Sequence, residues 1–390
     1  MPPSFPFAAN FVSRAWPVLL EFCSLPRDPA KISTLLSEIN DAESFASLAE
    51  AHGVVGHLAI AFACLFGWQI PSSFMDSLRA RQRTHALYSL AMTAELFRIL
   101  EILQKSGIEW VVVKGPVLSL RAYGDPSARQ YADLDLLLRQ KDIPRSAEIL
   151  VAAGYDSRIS GEAIRRGKIP GEYRFRAPGS KIILELHTER TLRYFPSPLP
   201  IEEYFQRKTS LSFDGRVVPA LSAADEFVLI SVHGATHFWE RLMWISDVAA
   251  MVHNHPELDW EAIGRSAAEV GAERMVRLAL LLAEHFLRVP VPAEMKKAVE
   301  ADSACSKLVR NIETWLPCAG YATPAIAQRA LFRYRMPGNI SAGATYLARL
   351  SFSTTEEDWS NETVGARSSI GETLFRPFRL VKKYRRGSNS

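Results

Sequence analysis

The segment from Trp110 to Leu138, WVVVKGPVLSLRAYGDPSARQYADLDLLL, restricts both fold and chemistry more than any other part of the chain. Ile108 to Val113 is rich in β-branched residues and reads as a buried strand, which stops at Lys114-Gly115-Pro116. A second apolar run, Asp133 to Leu138, carries Asp133 and Asp135 on either side of Leu134. Residues two apart on an extended strand face the same way, so the two carboxylates stand together at the end of a hydrophobic strand. Adjacent carboxylates repel each other and resist desolvation, so a positive partner must compensate. A divalent cation carrying a nucleotide's phosphates meets that requirement.

Periodicity organises the flanks. From about Ala30 to Lys105 the pattern is helical, with Leu87, Leu90, Ala94, Phe97 and Leu100 spaced as one buried stripe and Gly107 as a left-handed cap. Pro116 suits the first turn of a helix reaching Tyr123, and Gly124-Asp125-Pro126-Ser127 reads as a loop. Asp142 caps a helix to Ala153 that Gly154 ends. Tyr173–Ala177 and Lys181–His187 read as a hairpin around Pro178-Gly179-Ser180. Helices return at Ser222, where Asp225 completes a weak capping box, and Leu242, Ile245, Ala249 and Val252 form a stripe ending near His253. Helices, a small mixed sheet and helices again predict an α+β fold. The expected divisions are residues 1–105 (N-terminal helical region), 106–215 (α/β core), 216–300 (helical domain on the core) and 301–390 (C-terminal helical region with a basic tail).

Bulk properties narrow the class. At 390 residues, with 48% apolar and 23% charged residues, the chain has the balance of a soluble globular protein. A net charge of +4 fits an anionic ligand such as a nucleotide but is too small to argue for nucleic-acid binding. Cys23, Cys64, Cys305 and Cys318 lack metal or disulfide spacing and read as buried thiols of a reducing compartment. Neither a secretory leader nor a membrane-length apolar run is seen, so the expected location is cytoplasmic.

Three features converge: the Lys114-Gly115 turn after a strand, the Asp133-Leu134-Asp135 pair, and Glu185 in the later apolar segment Ile182–Leu186. This set resembles the nucleotidyltransferase superfamily related to DNA polymerase beta. It is more closely similar to the bacterial family of uncharacterised nucleotidyltransferases. The resemblance rests on Lys114-Gly115-Pro116-Val117-Leu118, Arg129, Asp133-Leu134-Asp135-Leu136-Leu137, Leu150 through Gly154-Tyr155, Glu185-Leu186-His187, and His237-Phe238-Trp239-Glu240-Arg241-Leu242-Met243-Trp244-Ile245-Ser246-Asp247, and covers roughly Leu35 to Leu280. It implies a small nucleotidyltransferase-type sheet and an enzyme that uses Mg²⁺ (or Mn²⁺) and an NTP substrate to transfer a nucleoside monophosphate. Asp133, Asp135 and Glu185 would be its catalytic metal ligands, and Lys114, Gly115 and Arg129 its phosphate contacts. The acceptor stays open among small molecule, peptide, protein and RNA. One departure stands out: the superfamily's turn is Gly-Gly or Gly-Ser, whereas Pro116 here removes a backbone donor. Two alternatives are an inert nucleotide- or partner-binding module of the same fold and a transferase acting on another activated phosphate ester.

Other motifs carry less. Gly161–Lys168 is one residue too long for a phosphate loop and lacks the following Ser or Thr. His233 and His237 have helical zinc spacing, but Gly234 stands where a zinc protease has Glu. His187 reads as a satisfied buried histidine, and Arg241 and Asp247 as ties between helix and sheet. The basic tail Arg376–Arg386 reads as a solvated end, with nucleic-acid contact only a weak expectation.

Overall fold

The computed structural model describes residues 7–64, 72–157, 159–165, 171–188, 196–197, 199–319, 321 and 324–352. The basic tail lies outside the described residues, as does the end of the Gly161–Lys168 segment. The described residues form a mixed α+β fold around one seven-stranded sheet. Its strands are β1 (Val111–Val113), β2 (Asp133–Leu137), β3 (Asp156–Ser157), β4 (Glu172–Arg176), β5 (Ile183–His187), β6 (Thr209–Phe213) and β7 (Arg216–Ala220). They lie in the order β3-β4-β5-β2-β1-β7-β6. β2 is central, antiparallel to β1 and parallel to β5, while β7 runs parallel to β1 on its other side.

The alternation of side chains explains why the apolar strands are nearly continuous in sequence: both faces of the sheet are covered. Leu134, Leu136 and Leu138 of the β2 segment join Val112, Leu184 and Leu186 in one core, closed by Met92, Leu96, Ile99 and Leu103 and by Leu150. The opposite face sends Val111, Val113 and Leu137 into a second, larger core. That core also contains Phe22 and Phe45 from the N-terminal helices and Val248, Met251 and Leu282 from the C-terminal ones, so both helical regions pack on this face. Asp135 and Glu185 therefore point to the side where the two helical regions meet.

Two features differ from the sequence reading. The helix Ser72–Lys105 forms and the expected Leu100 is buried, but the rest of its buried stripe is His85, Ser89, Met92, Leu96, Ile99 and Leu103. Leu87 and Leu90 are 62% and 67% exposed. The reason is local: His85 Nε2 bonds the Ser127 carbonyl, fixing the polar side of the helix inward against the loop before β2. The hairpin β6–β7, turning at Asp214-Gly215, was not expected, and it carries the sheet on to Ala220. Both turn residues have positive φ, as a tight two-residue hairpin demands.

Of the N-terminal caps read from the sequence, Ser222 forms, whereas the Asp142 side chain makes no capping hydrogen bond at the helix Ile143–Ala152 because its backbone is already helical. Ser222 Oγ accepts from the Asp225 amide at 3.1 Å. The Asp225 carboxylate in turn accepts from the Ser222 hydroxyl, from Arg207 Nε and from the Ser266 hydroxyl.

Candidate active site

The site begins at the turn between β1 and the helix Gly115–Tyr123. Lys114 has φ 60° and ψ −143°, a backbone region that L-residues avoid, and Gly115 follows at φ 55°. A side chain held there implies that its position matters more than the strain it costs. Its ammonium lies 3.2 Å from Asp135 Oδ2. Val113 and Asp135 are register partners across β1 and β2, so the turn starts one residue from the carboxylate it reaches.

Asp135 and Glu185 are register partners in the parallel pair β2–β5, which stands them side by side. Asp135 is 2% exposed, Glu185 is buried, and Asp133 is half-buried two residues before Asp135 on the same face. His187, two residues after Glu185, places Nε2 2.6 Å from Asp135 Oδ1 and 3.6 Å from Glu185 Oε2. One donor atom each from Asp135, Glu185 and His187 lies within 4.8 Å of the others, close enough to share a metal ion. Arg174, on the neighbouring strand, donates from Nε to Glu185 Oε1 at 2.6 Å.

The electrostatics are divided between the acids. Burial disfavours an ionised Asp135, but Lys114 and His187 outweigh it and hold the carboxyl well below its usual range. Burial and the charge of Asp135 push Asp133 up, against Lys114. Burial also pushes Glu185 up to about 7; His187 opposes this shift and Asp135 adds to it. Burial opposes protonation of His187, yet Asp135 and Glu185 raise its pKa overall. Its Nδ1 is buried without a hydrogen-bond partner among the described residues.

Arg129 occupies a different environment from that of a solvent-facing phosphate clamp. It is 4% exposed, and its Nε donates to Asp247 Oδ2 at 2.7 Å. Tyr123 donates its hydroxyl to the other oxygen of Asp247 at 3.0 Å, and Ser119 Oγ accepts from the Arg129 amide at 3.1 Å. Asp247 thus ties the helix Leu242–Asn254 to the loop before β2, as expected of it. Nη2 of Arg129 makes no hydrogen bond with a described residue, and Arg129 also borders the central cavity. Arg241, expected to be a second tie, is exposed at the cavity rim and forms no ion pair among the described residues.

That cavity has a volume of about 800 Å³. One wall carries Lys114, Gly115, Asp133 and Asp135; the facing wall carries His233, His237 and Trp244 from the two helices that follow the sheet. Glu185 and His187 stand behind Asp135 and do not line it.

A model of the uncharacterised nucleotidyltransferase family matches residues 39–288, more than half of the chain. The chain belongs to this family. The matched range spans every strand and both cavity walls from Lys114 to Trp244. No curated protein sequence matches the chain. Among solved structures, an antigenic nucleotidyltransferase-like protein from Paracoccidioides brasiliensis is 16% identical, with a TM-score of 0.31, over 56% of this chain and 96% of that one.

In this nucleotidyltransferase-family chain Lys114 and Glu185 flank Asp135, whereas Asp133 and Gly115 lie on the cavity wall outside the Asp135–Glu185–His187 group, and Arg129 sits at the cavity edge in its ion pair with Asp247. Sequence reasoning passed over His187 as a direct partner of Asp135. The strand alternation that puts Glu185 inward also puts His187 inward, and that was the available signal.

Proposed function

We propose that this family member is a Mg²⁺-dependent nucleotidyltransferase that moves a nucleoside monophosphate from an NTP to an acceptor nucleophile. The supporting observation is the pairing of Asp135 with Glu185 across β2 and β5, with Asp133 alongside and the Lys114-Gly115 turn at the same cavity wall. The donors fit a hard divalent cation: Asp135 and Glu185 offer carboxylate oxygens within reach of one ion, and His187 adds a nitrogen that Mn²⁺ also tolerates, while Asp133 lies outside that group on the cavity wall. When bound there, such an ion supplies charge neutralisation for the phosphates and the developing pentavalent phosphorus.

The side chains divide the remaining work. Lys114 leaves Asp135 for a phosphate oxygen, and Gly115 lets the backbone approach closely. Pro116 contributes no amide. The free Nη2 edge of Arg129 offers a further phosphate contact, rigid because Asp247 fixes the guanidinium. Glu185, paired with Asp135 behind the cavity wall, would help hold the ion and orient Asp135. The family implies a nucleotide; it leaves the acceptor open.

The test is transfer of label from α-labelled NTPs with Mg²⁺ to pools of small molecules, peptides, proteins and RNA. The native protein should label one pool; Asp133→Ala, Asp135→Ala and Glu185→Gln should not, while keeping native circular dichroism. Full activity in any of the three would remove the assigned roles. One observation favours a second reading, nucleotide binding without turnover: Lys114 and His187 already engage both oxygens of Asp135. Under that reading no pool is labelled, and NTP affinity is indifferent to Mg²⁺.

A further inference from the structure

The wall of the cavity facing the carboxylates is built of aromatic rings. His233 and His237 are four residues apart at the end of one helix, with ring centroids 4.7 Å apart. Trp244, in the first turn of the next helix, lies 5.5 Å from the His233 ring and 5.1 Å from the His237 ring, the latter tilted by only 32°. Burial, with the charge of Lys114 next, holds His233 well below the usual imidazole range, so this ring is a neutral surface close to the phosphate turn.

The same cavity collects unmet hydrogen-bonding capacity. Trp244 is 8% exposed, and its indole N–H has no partner among the described residues. Oε1 of Gln130 and Oε1 of Glu240 are likewise buried and without a partner among the described residues, and all three residues line the cavity. Buried polar atoms without partners are costly in a folded protein, and they gather where a ligand supplies the missing bonds. A ligand matching this wall needs a flat π face and an edge carrying both hydrogen-bond donors and an acceptor.

Building on the transferase reading above, we propose that His233, His237 and Trp244 seat the nucleobase of the substrate nucleotide. In this arrangement Glu240 and Gln130 select bases that bear an exocyclic amino group. A base stacks on neutral rings, its ring or carbonyl acceptor takes the Trp244 N–H, and its amino group donates to the two oxygens. Uracil, which has no amino group, leaves one of those oxygens unmet. The cavity, at about 800 Å³, is large enough for a nucleotide and an acceptor together.

The experiment is calorimetric titration, with Mg²⁺ present, of inorganic tripolyphosphate and the four α,β-methylene NTP analogues. The ATP, GTP and CTP analogues should bind at least roughly tenfold more tightly than tripolyphosphate, with the UTP analogue the weakest of the four. Trp244→Leu should reduce NTP binding toward that of tripolyphosphate. Because Trp244 is packed, Glu240→Gln at the half-buried edge is the variant that keeps the fold. It should narrow the margin over the UTP analogue and leave tripolyphosphate binding unchanged. NTPs binding no better than tripolyphosphate would overturn the base seat alone, as would full discrimination in Glu240→Gln. If tripolyphosphate itself does not bind, the transferase reading falls and the base seat falls with it.

Discussion

At the scale of single residues, Lys114 joins a strained backbone to a buried charge. Its ammonium and the His187 ring contact the two oxygens of Asp135, and its φ of 60° is a conformation in which glycine is unstrained. These two roles separate by substitution. Lys114→Ala and Lys114→Gly remove the same ammonium and should abolish nucleotide transfer equally. The glycine variant also relieves the backbone, so it should be more stable than the alanine variant by about 1 kcal/mol. Urea midpoints measured side by side decide this; equal midpoints would mean that the turn stores no strain. His187 balances the centre from the other side, with Nε2 2.6 Å from Asp135. A motif search finds the acids because they sit in short, ordered strings. The bond from His187 to Asp135 depends on which strand lies beside β2, information held in a parallel pairing some fifty residues away in the chain.

At the scale of elements, the connection from helix Ala223–Thr236 to helix Leu242–Asn254 shapes the aromatic wall. Phe238 and Trp239 both have positive φ, a sharp reversal that folds the Trp239 ring back over Gly234. A β-carbon on Gly234 would lie 2.3 Å from that ring, far inside contact distance. Gly234→Ala should therefore destabilise the protein by about 1–3 kcal/mol and displace His233 and His237, weakening NTP binding. Combining it with Trp239→Leu should cost less than the sum of the two single changes. Strict additivity in urea unfolding would rule out the steric account. This reversal was not legible, because neither Phe nor Trp signals a left-handed conformation. β1, β2, β4 and β5 were legible from their apolar runs and the Pro178-Gly179-Ser180 turn. β6 and β7 were passed over although Asp214-Gly215 is a strong hairpin signal, since Pro219 and the polar residues of β6 masked the strand pattern. On the Ser72–Lys105 helix, the leucines Leu87 and Leu90 outweighed His85 and Ser89 in the sequence reading. The loop before β2 reverses that ranking by offering His85 a carbonyl.

At the scale of the whole molecule, the N-terminal helices, the sheet and the C-terminal helices share one large core, and two histidines are buried within it. His52 accepts the Leu242 amide at Nδ1 (3.3 Å) and contacts the Pro317 carbonyl through Nε2 (3.4 Å), so it bridges three separate segments as a neutral ring. His57 has no hydrogen-bond partner among the described residues on either nitrogen and packs edge-on against Tyr123, 4.7 Å between centroids, beside the Asp247–Arg129 pair. Burial depresses both to about 3 from the usual 6.5. An imidazole of this kind takes up fewer protons in the fold than in the unfolded chain between those two values. Its stabilisation is therefore complete above about 6.5 and is lost as the pH falls toward 3, at up to about 1.4 kcal/mol per pH unit for each histidine. Carboxyls raised by burial, Glu226 and Asp247 among them, act in the opposite direction, so the histidine contribution is isolated by substitution. His57→Phe keeps the ring against Tyr123 and removes one proton site. Its urea unfolding free energy should fall less steeply than that of the native protein between pH 6.5 and 4. The gain should be largest at the acid end, with little difference at pH 7.5. Parallel pH profiles for the two proteins would show that His57 titrates normally in the fold, and that acid sensitivity, where it occurs, comes from elsewhere in the core.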